Sequence, residues 1–313
     1  MSGGEALEAL RAGGKAALAR ALARLESEPA AAATIELLEA AWAAPRGWAV
    51  GLTGPPGVGK SSLASALLRG WRARGLSVAM LAVDPSSRRT GGALLGDRTR
   101  LLLDPDDPGL FVRSLAARER LGGTAALCFP ALVLLRALFD RVLVETVGVG
   151  QSETDIADLA DRVLLAVQPA SGDTVQFLKA GIAEIPDLAV VTKADLGQPA
   201  ARTARELEAA MALGAAGRVP VLLVSAATGA GLEALLEALE ATAGAAPAAA
   251  TRRRAQARRW LEAELREAAA RRALEGLADH LDGTAAQPFR GLAALLAAGR
   301  PDPSAREADQ CPT

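Results

Sequence analysis

Between an apolar run, Trp48–Leu52, and a helical run, Ser62–Arg74, stands Gly54-Pro-Pro-Gly57-Val58-Gly59-Lys60-Ser61. This order constrains the fold more than any other feature of the chain. The pattern Gly-x-x-x-x-Gly-Lys-Ser carries meaning only where a strand enters it and a helix leaves it, and both flanks are present. Glycines let backbone N–H groups turn inward around a polyphosphate, and the helix that follows aims its positive end at the same place. Gly54, Gly57, Val58, Gly59, Lys60, Ser61 and Ser62 are therefore candidate phosphate contacts. Lys60 would reach the β- and γ-phosphates, and the Ser61 hydroxyl would ligate Mg²⁺. A glycine-rich turn ahead of an ordinary helix would not require these flanks.

Short apolar runs recur along the chain: Trp48–Thr53, Val78–Val83, Leu110–Val112, Arg141–Glu145, Val163–Val167, Leu188–Thr192 and Val221–Val224, with helical stretches between them. This alternation predicts an α/β fold, a mostly parallel sheet flanked by helices, with ligands at the carboxyl ends of the strands. Residues 5–44 have helical apolar spacing, broken near Pro29. Ala241–Ala250 is soft in composition, and Arg252–Leu281 is a long charged amphipathic helix. The expected organisation is an N-terminal helical extension (1–45), a phosphate-loop domain (46–245) and a C-terminal helical arm (246–313).

The other strand ends carry acids and turn residues. Asp84 follows Val78–Val83, where an Asp can hold Mg²⁺ directly or through water, and Asp97 lies further along the next loop. Taken alone, Asp84 reads as a cap on the next turn and Asp97 as a loop residue solvating charge, and their functional readings rise only in company. Glu145 ends the next strand, Gly148 is placed to sense a γ-phosphate through its N–H, and Gln151 is a candidate for orienting the attacking water. Thr192-Lys193-Ala194-Asp195 follows Leu188–Val191. A carboxylate at Asp195 can accept both N–H groups on one edge of guanine. Adenine would meet it with a lone pair, a mismatch of the kind that discriminates by about 10⁴ or more. The Lys193 stem would lie over the base, Thr192 would brace the loop, and backbone N–H groups at Ser225-Ala226 would meet the guanine O6. In this order the rim reads as a GTP/GDP site.

Composition narrows the rest. A net charge of −1 argues against a general nucleic-acid binder, and no apolar run is long enough to span a membrane. Cys128 and Cys311 form neither a disulfide framework nor a metal spacing, which fits a cytoplasmic protein. Only four of the 35 basic residues are Lys, namely Lys15, Lys60, Lys179 and Lys193. Where Arg replaces Lys so freely, a retained Lys hints at chemical need.

With these residues in hand, the chain resembles the MeaB/ArgK/MMAA family of G3E, SIMIBI-type P-loop GTPases. The marks are Val83-Asp84-Pro85-Ser86-Ser87, the stretch Gly91-Gly92 to Thr99, Val144 to Glu153, and Gly172-Asp173 through Gln176 and Lys179 to Glu184. The resemblance implies a slow Mg²⁺-dependent GTPase, homodimeric through C-terminal helices. It implies a chaperone that gates adenosylcobalamin delivery to a cobalamin-dependent acyl-CoA mutase such as methylmalonyl-CoA mutase, and protects that enzyme. It assigns Ser61, Asp84, Asp97 and Glu145 to the metal shell, and Lys60, Lys193 and Asp195 to the nucleotide. Lys179 falls in a third mobile loop of the family and could supply a cation to the γ-phosphate. Thr192 replaces the family's Asn, and residues 103–125 match loosely. A P-loop kinase or ATPase is the principal rival, against which the guanine motif speaks. A nickel-delivery GTPase would need a Cys/His cluster, and a non-enzymatic binding module would have no use for the filled catalytic shell.

Overall fold

A computed structural model describes residues 2–85, 104, 106–117, 125–146, 156–169, 185–212, 219–241 and 246–284. Three helices open the chain, α1 (Gly3–Ala12), α2 (Gly14–Ser27) and α3 (Ala32–Ala43). Ser2 caps α1 in a reciprocal box with Glu5. Gly14 takes a φ of +62°, so the chain breaks there as well as near Pro29. Then come β1 (Trp48–Thr53), α4 (Lys60–Ala73), β2 (Val78–Pro85), β3 (Leu110–Ala117), α5 (Ala125–Leu138) and β4 (Arg141–Thr146). They are followed by β5 (Arg162–Val167), β6 (Leu188–Val191), α6 (Gln198–Met211), β7 (Val221–Leu223), α7 (Leu232–Ala241) and α8 (Ala246–Thr284). Contacts divide the chain into two compact units, Met1–Ala263 and Glu264–Thr313.

The seven strands form one parallel sheet in the order β3-β2-β4-β1-β5-β6-β7. β1, β5 and β6 are buried along almost their whole length, as expected of strands covered on both faces. Successive side chains divide between the faces. Ala49, Leu81, Val142 and Val144 pack with α1, α2, α3 and α5, whereas Val50, Leu52, Met80 and Leu143 pack with α4 and α7. A third cluster joins Leu165, Val167 and Val191 to Ala200, Leu207 and Met211 of α6. The N-terminal helices thus share the principal core of the sheet.

Register brings the functional strand ends to one rim. β4 lies between β1 and β2, pairing Glu145 with Leu52 on one side and with Ala82 on the other. On the far side of β1, Val167 pairs with Val191, and Val191 with Leu223. The loops after β1, β2, β4, β6 and β7 therefore leave the same edge.

α8 starts inside the segment read as soft: Ala246–Ala250 is helical, in keeping with alanine's high helix propensity. Its first turns are fastened to the sheet unit. Gln256, fully buried, donates through Nε2 to Ala160 O at 2.7 Å and to Ala157 O at 3.3 Å. Arg252 pairs with Asp187 at 3.2 Å, Arg259 with Asp158 at 2.6 Å, and Trp260 stacks on Phe129 with centroids 5.2 Å apart. Among the described residues no helix is long and apolar enough to cross a membrane.

Candidate nucleotide site

The loop between β1 and α4 is shaped by glycines in conformations other residues resist. Gly54 has a φ of +146°, and a Cβ there would stand 2.1 Å from Ala166 O on the neighbouring strand. Gly59, at the N-cap of α4, has a φ of +92°. Lys60 follows on the first turn, and its Nζ donates back to Gly54 O at 2.7 Å and Pro55 O at 3.0 Å. The ammonium is thereby held over the loop whose N–H groups would cradle phosphate.

One residue on, the Ser61 hydroxyl donates to Glu145 Oε1 at 3.0 Å. Glu145 is largely buried at the end of β4. Strand pairing thus unites the phosphate loop with an acid 84 residues away. The backbone of Asp84 lies near the end of β2, two residues beyond the partner of Glu145. Of the remaining candidates, Asp97, Gly148, Gln151 and Lys179 lie outside the described residues.

The candidate base-reading residues gather on the other side of β1. Thr192 Oγ1 is 2.7 Å from Val58 O and 3.0 Å from Val167 O, tying the end of β6 to the phosphate loop. The hydroxyl provides the brace expected of it. Lys193 adopts a φ of +53°, the one non-glycine residue in the left-handed region among those described. Its Nζ donates to Gln168 Oε1 at 2.6 Å and to Gly57 O at 3.2 Å, so the stem runs across the rim. Asp195 accepts a hydrogen bond from Ser225 Oγ at 2.5 Å.

Ser225 enters differently from expectation. Its backbone N–H is committed to Ala230 O at 2.9 Å, leaving the N–H of Ala226 as the candidate contact for a base oxygen. Ser225 contributes its side chain instead, fully buried and orienting Asp195. Sequence reasoning did not find this hydroxyl contact, nor Gln168 as the partner of Lys193. The motifs specify what touches the ligand, not what steadies those groups. Cys128 is buried and its thiol is pushed up to about 12 by desolvation, which removes it as a nucleophile near neutral pH.

A glycine loop closed by lysine, a hydroxyl–carboxylate pair beside it, and an aspartate held at the base end define a P-loop nucleotide-binding protein of the GTPase type. Comparison with known proteins narrows the class. A family described as "Methylmalonyl Co-A mutase-associated GTPase MeaB" matches residues 18–277, and the chain belongs to it. A putative GTPase of Caulobacter vibrioides is 39% identical over 270 residues, covering 82% of this chain and 83% of that protein. A putative GTPase of Pyrococcus abyssi is 44% identical over 192 residues, covering 61% of this chain and 59% of that relative's length. Among solved structures, a LAO/AO transport system kinase superposes with a TM-score of 0.65 at 26% identity, covering 93% of this chain and 95% of that one.

Proposed function

We propose that this chain is a Mg²⁺-dependent GTPase that gates adenosylcobalamin delivery to a cobalamin-dependent acyl-CoA mutase and protects that enzyme. The observation that carries the nucleotide half is the brace joining Thr192 to the phosphate loop at 2.7 Å, with Asp195 oriented by Ser225 on the same rim. Phosphate-reading and base-reading groups are thereby fixed relative to one another, as selective binding requires. The mutase half rests on the family description.

The residues present fit a magnesium ion. Ser61 and Glu145 offer hard oxygen donors 3.0 Å apart, the donor type Mg²⁺ prefers. Ser61 would bind the ion, Glu145 would hold its water shell, and Asp84 and Asp97 would complete it. When bound, the ion would neutralise charge between the β- and γ-phosphates. Lys60 would share that task from the loop, and Gln151 would orient water. Lys179 would approach only when a partner orders its loop. Homodimerisation through the C-terminal helix is part of the proposal, supported by the exposed Leu261 and Leu265 on α8, as is residence in the cytoplasm.

Turnover tests the reading. Lys60→Ala and Ser61→Ala should abolish GTP hydrolysis without altering the unfolding transition, because both groups face ligand. Lys179→Ala should retain basal hydrolysis and lose stimulation by a cobalamin-dependent mutase. Normal hydrolysis in either phosphate-loop variant would contradict the enzyme assignment, and full stimulation in the Lys179 variant would contradict its role.

A further inference from the structure

At the end of β1 remote from the phosphate loop, the described residues line a cleft of about 280 Å³ between α3, α5 and the first turns of α8. Trp42, Pro45 and Val133 make its apolar wall, and Arg136, Arg253 and Arg254 its cationic one. One carboxylate meets two of these three guanidiniums. Asp161 Oδ2 lies 3.0 Å from Arg136 Nε and Oδ1 lies 3.3 Å from Arg253 Nε, and Oδ2 also accepts the Ala49 N–H at 2.8 Å.

Arg136 is 2% exposed. Its Nη2 donates to Leu159 O at 2.6 Å, while Nη1 has no hydrogen-bond partner among the described residues and Nε is out of line with Asp161 for a hydrogen bond. Arg254 is exposed and has no hydrogen-bond or ion-pair partner among the described residues. Three positive charges share one negative. Because Asp161 lies nearest Arg136, the two positive charges in excess fall on half-buried Arg253 and exposed Arg254, at the mouth of the cleft, where an anion would answer them. Burial, and beyond it the adjacent Arg253, pull the Arg136 guanidinium below its ordinary range against the opposing effect of Asp161.

A phosphate monoester carries about −1.5 to −2 charges near pH 7, which matches the excess, and planar guanidinium forks suit its oxygens. Trp42, only partly buried, offers a surface for the ester's body. We propose that this cleft is a second ligand site, taking a small phosphomonoester. Its dianion is held by Arg253 and Arg254 above the buried charge of Arg136, and its apolar body lies against Trp42.

The test is calorimetric titration of phenyl phosphate and of inorganic phosphate into the full chain saturated with GDP, which fills the phosphate loop. One phenyl phosphate should bind per chain, more tightly than inorganic phosphate. Arg254→Glu should weaken it by about tenfold or more, the scale of one charge-assisted hydrogen bond, and leave GDP affinity unchanged. Arg253→Ala should weaken it as well. Absence of binding, or binding at full strength in both variants, would overturn the site. Equal affinity for inorganic phosphate would overturn the ester and leave the free ion.

Discussion

Thr192 shows how one hydroxyl can tie a strand end to the loop beside it. Its Oγ1 reaches Val58 O in the phosphate loop and Val167 O in β5, and the side chain is 5% exposed. Thr192→Val keeps the shape and removes the donor, so the expected loss is about 1–3 kcal/mol of stability, read by urea unfolding, with weaker GTP binding. An unchanged affinity would show that the loop needs no brace. Lys193 and Asp195 are candidates from sequence alone because guanine chemistry would call for those side chains. Gln168 and the Ser225 hydroxyl are not, because many residues can steady a lysine or a carboxylate.

Acid sensitivity is also settled residue by residue. Asp107 is held below the usual carboxylate range, chiefly by hydrogen bonds from Arg72 at 2.7 Å. Burial alone would raise Asp140, but bonds from the Ser77 hydroxyl and N–H and from Arg46 outweigh it, and its net shift is downward. Both groups have a folded pKa below the unfolded value, so their contribution is fully present above about pH 4 and is lost as pH falls through the folded value. Asp140→Asn should flatten the acid limb of a stability–pH profile. A limb of unchanged steepness would contradict this account.

At the level of elements, the strands were legible because burial on both faces leaves unbroken apolar runs. β3 was the exception: it extends to Ala117, whereas the apolar signal stops at Val112, because Arg113 and Ser114 sit half-buried on an edge strand. The opening helices have an extra break at Gly14, where a left-handed residue stops a pattern that apolar spacing alone would continue. The start of α8 was misread as soft because alanine carries no periodic signal.

The anchors on α8 set where the chain can be cut. Gln256, Arg252, Arg253 and Arg259 all bind groups of the sheet unit, so removal after residue 244 would leave Asp161 and Asp187 with fewer partners and uncover Phe129. Truncation after Ala263 should leave a folded, GTP-binding monomer. Truncation after residue 244 should melt lower, since unpairing buried charge costs about 3–5 kcal/mol. Light scattering and thermal unfolding check both, and a dimeric 1–263 fragment would place the dimer interface elsewhere.

At the largest scale, one parallel sheet places its candidate nucleotide residues at the carboxyl rim and the arginine cleft toward the opposite end. The order β3-β2-β4-β1-β5-β6-β7 sets β1 and the glycine loop after it at the centre of that rim, between Glu145 of β4 and the turn after β6 that carries Asp195. The sheet and the shape of the loop could be read from residues alone, since each follows from local pattern. No local pattern joins Ser61 to Glu145 across 84 positions of sequence; only the family resemblance put the two in one shell.

Nucleotide choice tests the account most directly. Affinities for GTP, ATP and xanthosine triphosphate should be measured on the parent chain and on Asp195→Asn. The parent should prefer GTP over ATP by about 10⁴, and the variant should lose GTP and gain the xanthosine nucleotide, whose 2-oxo group suits an amide donor. Equal affinity of the parent for GTP and ATP would contradict the central claim.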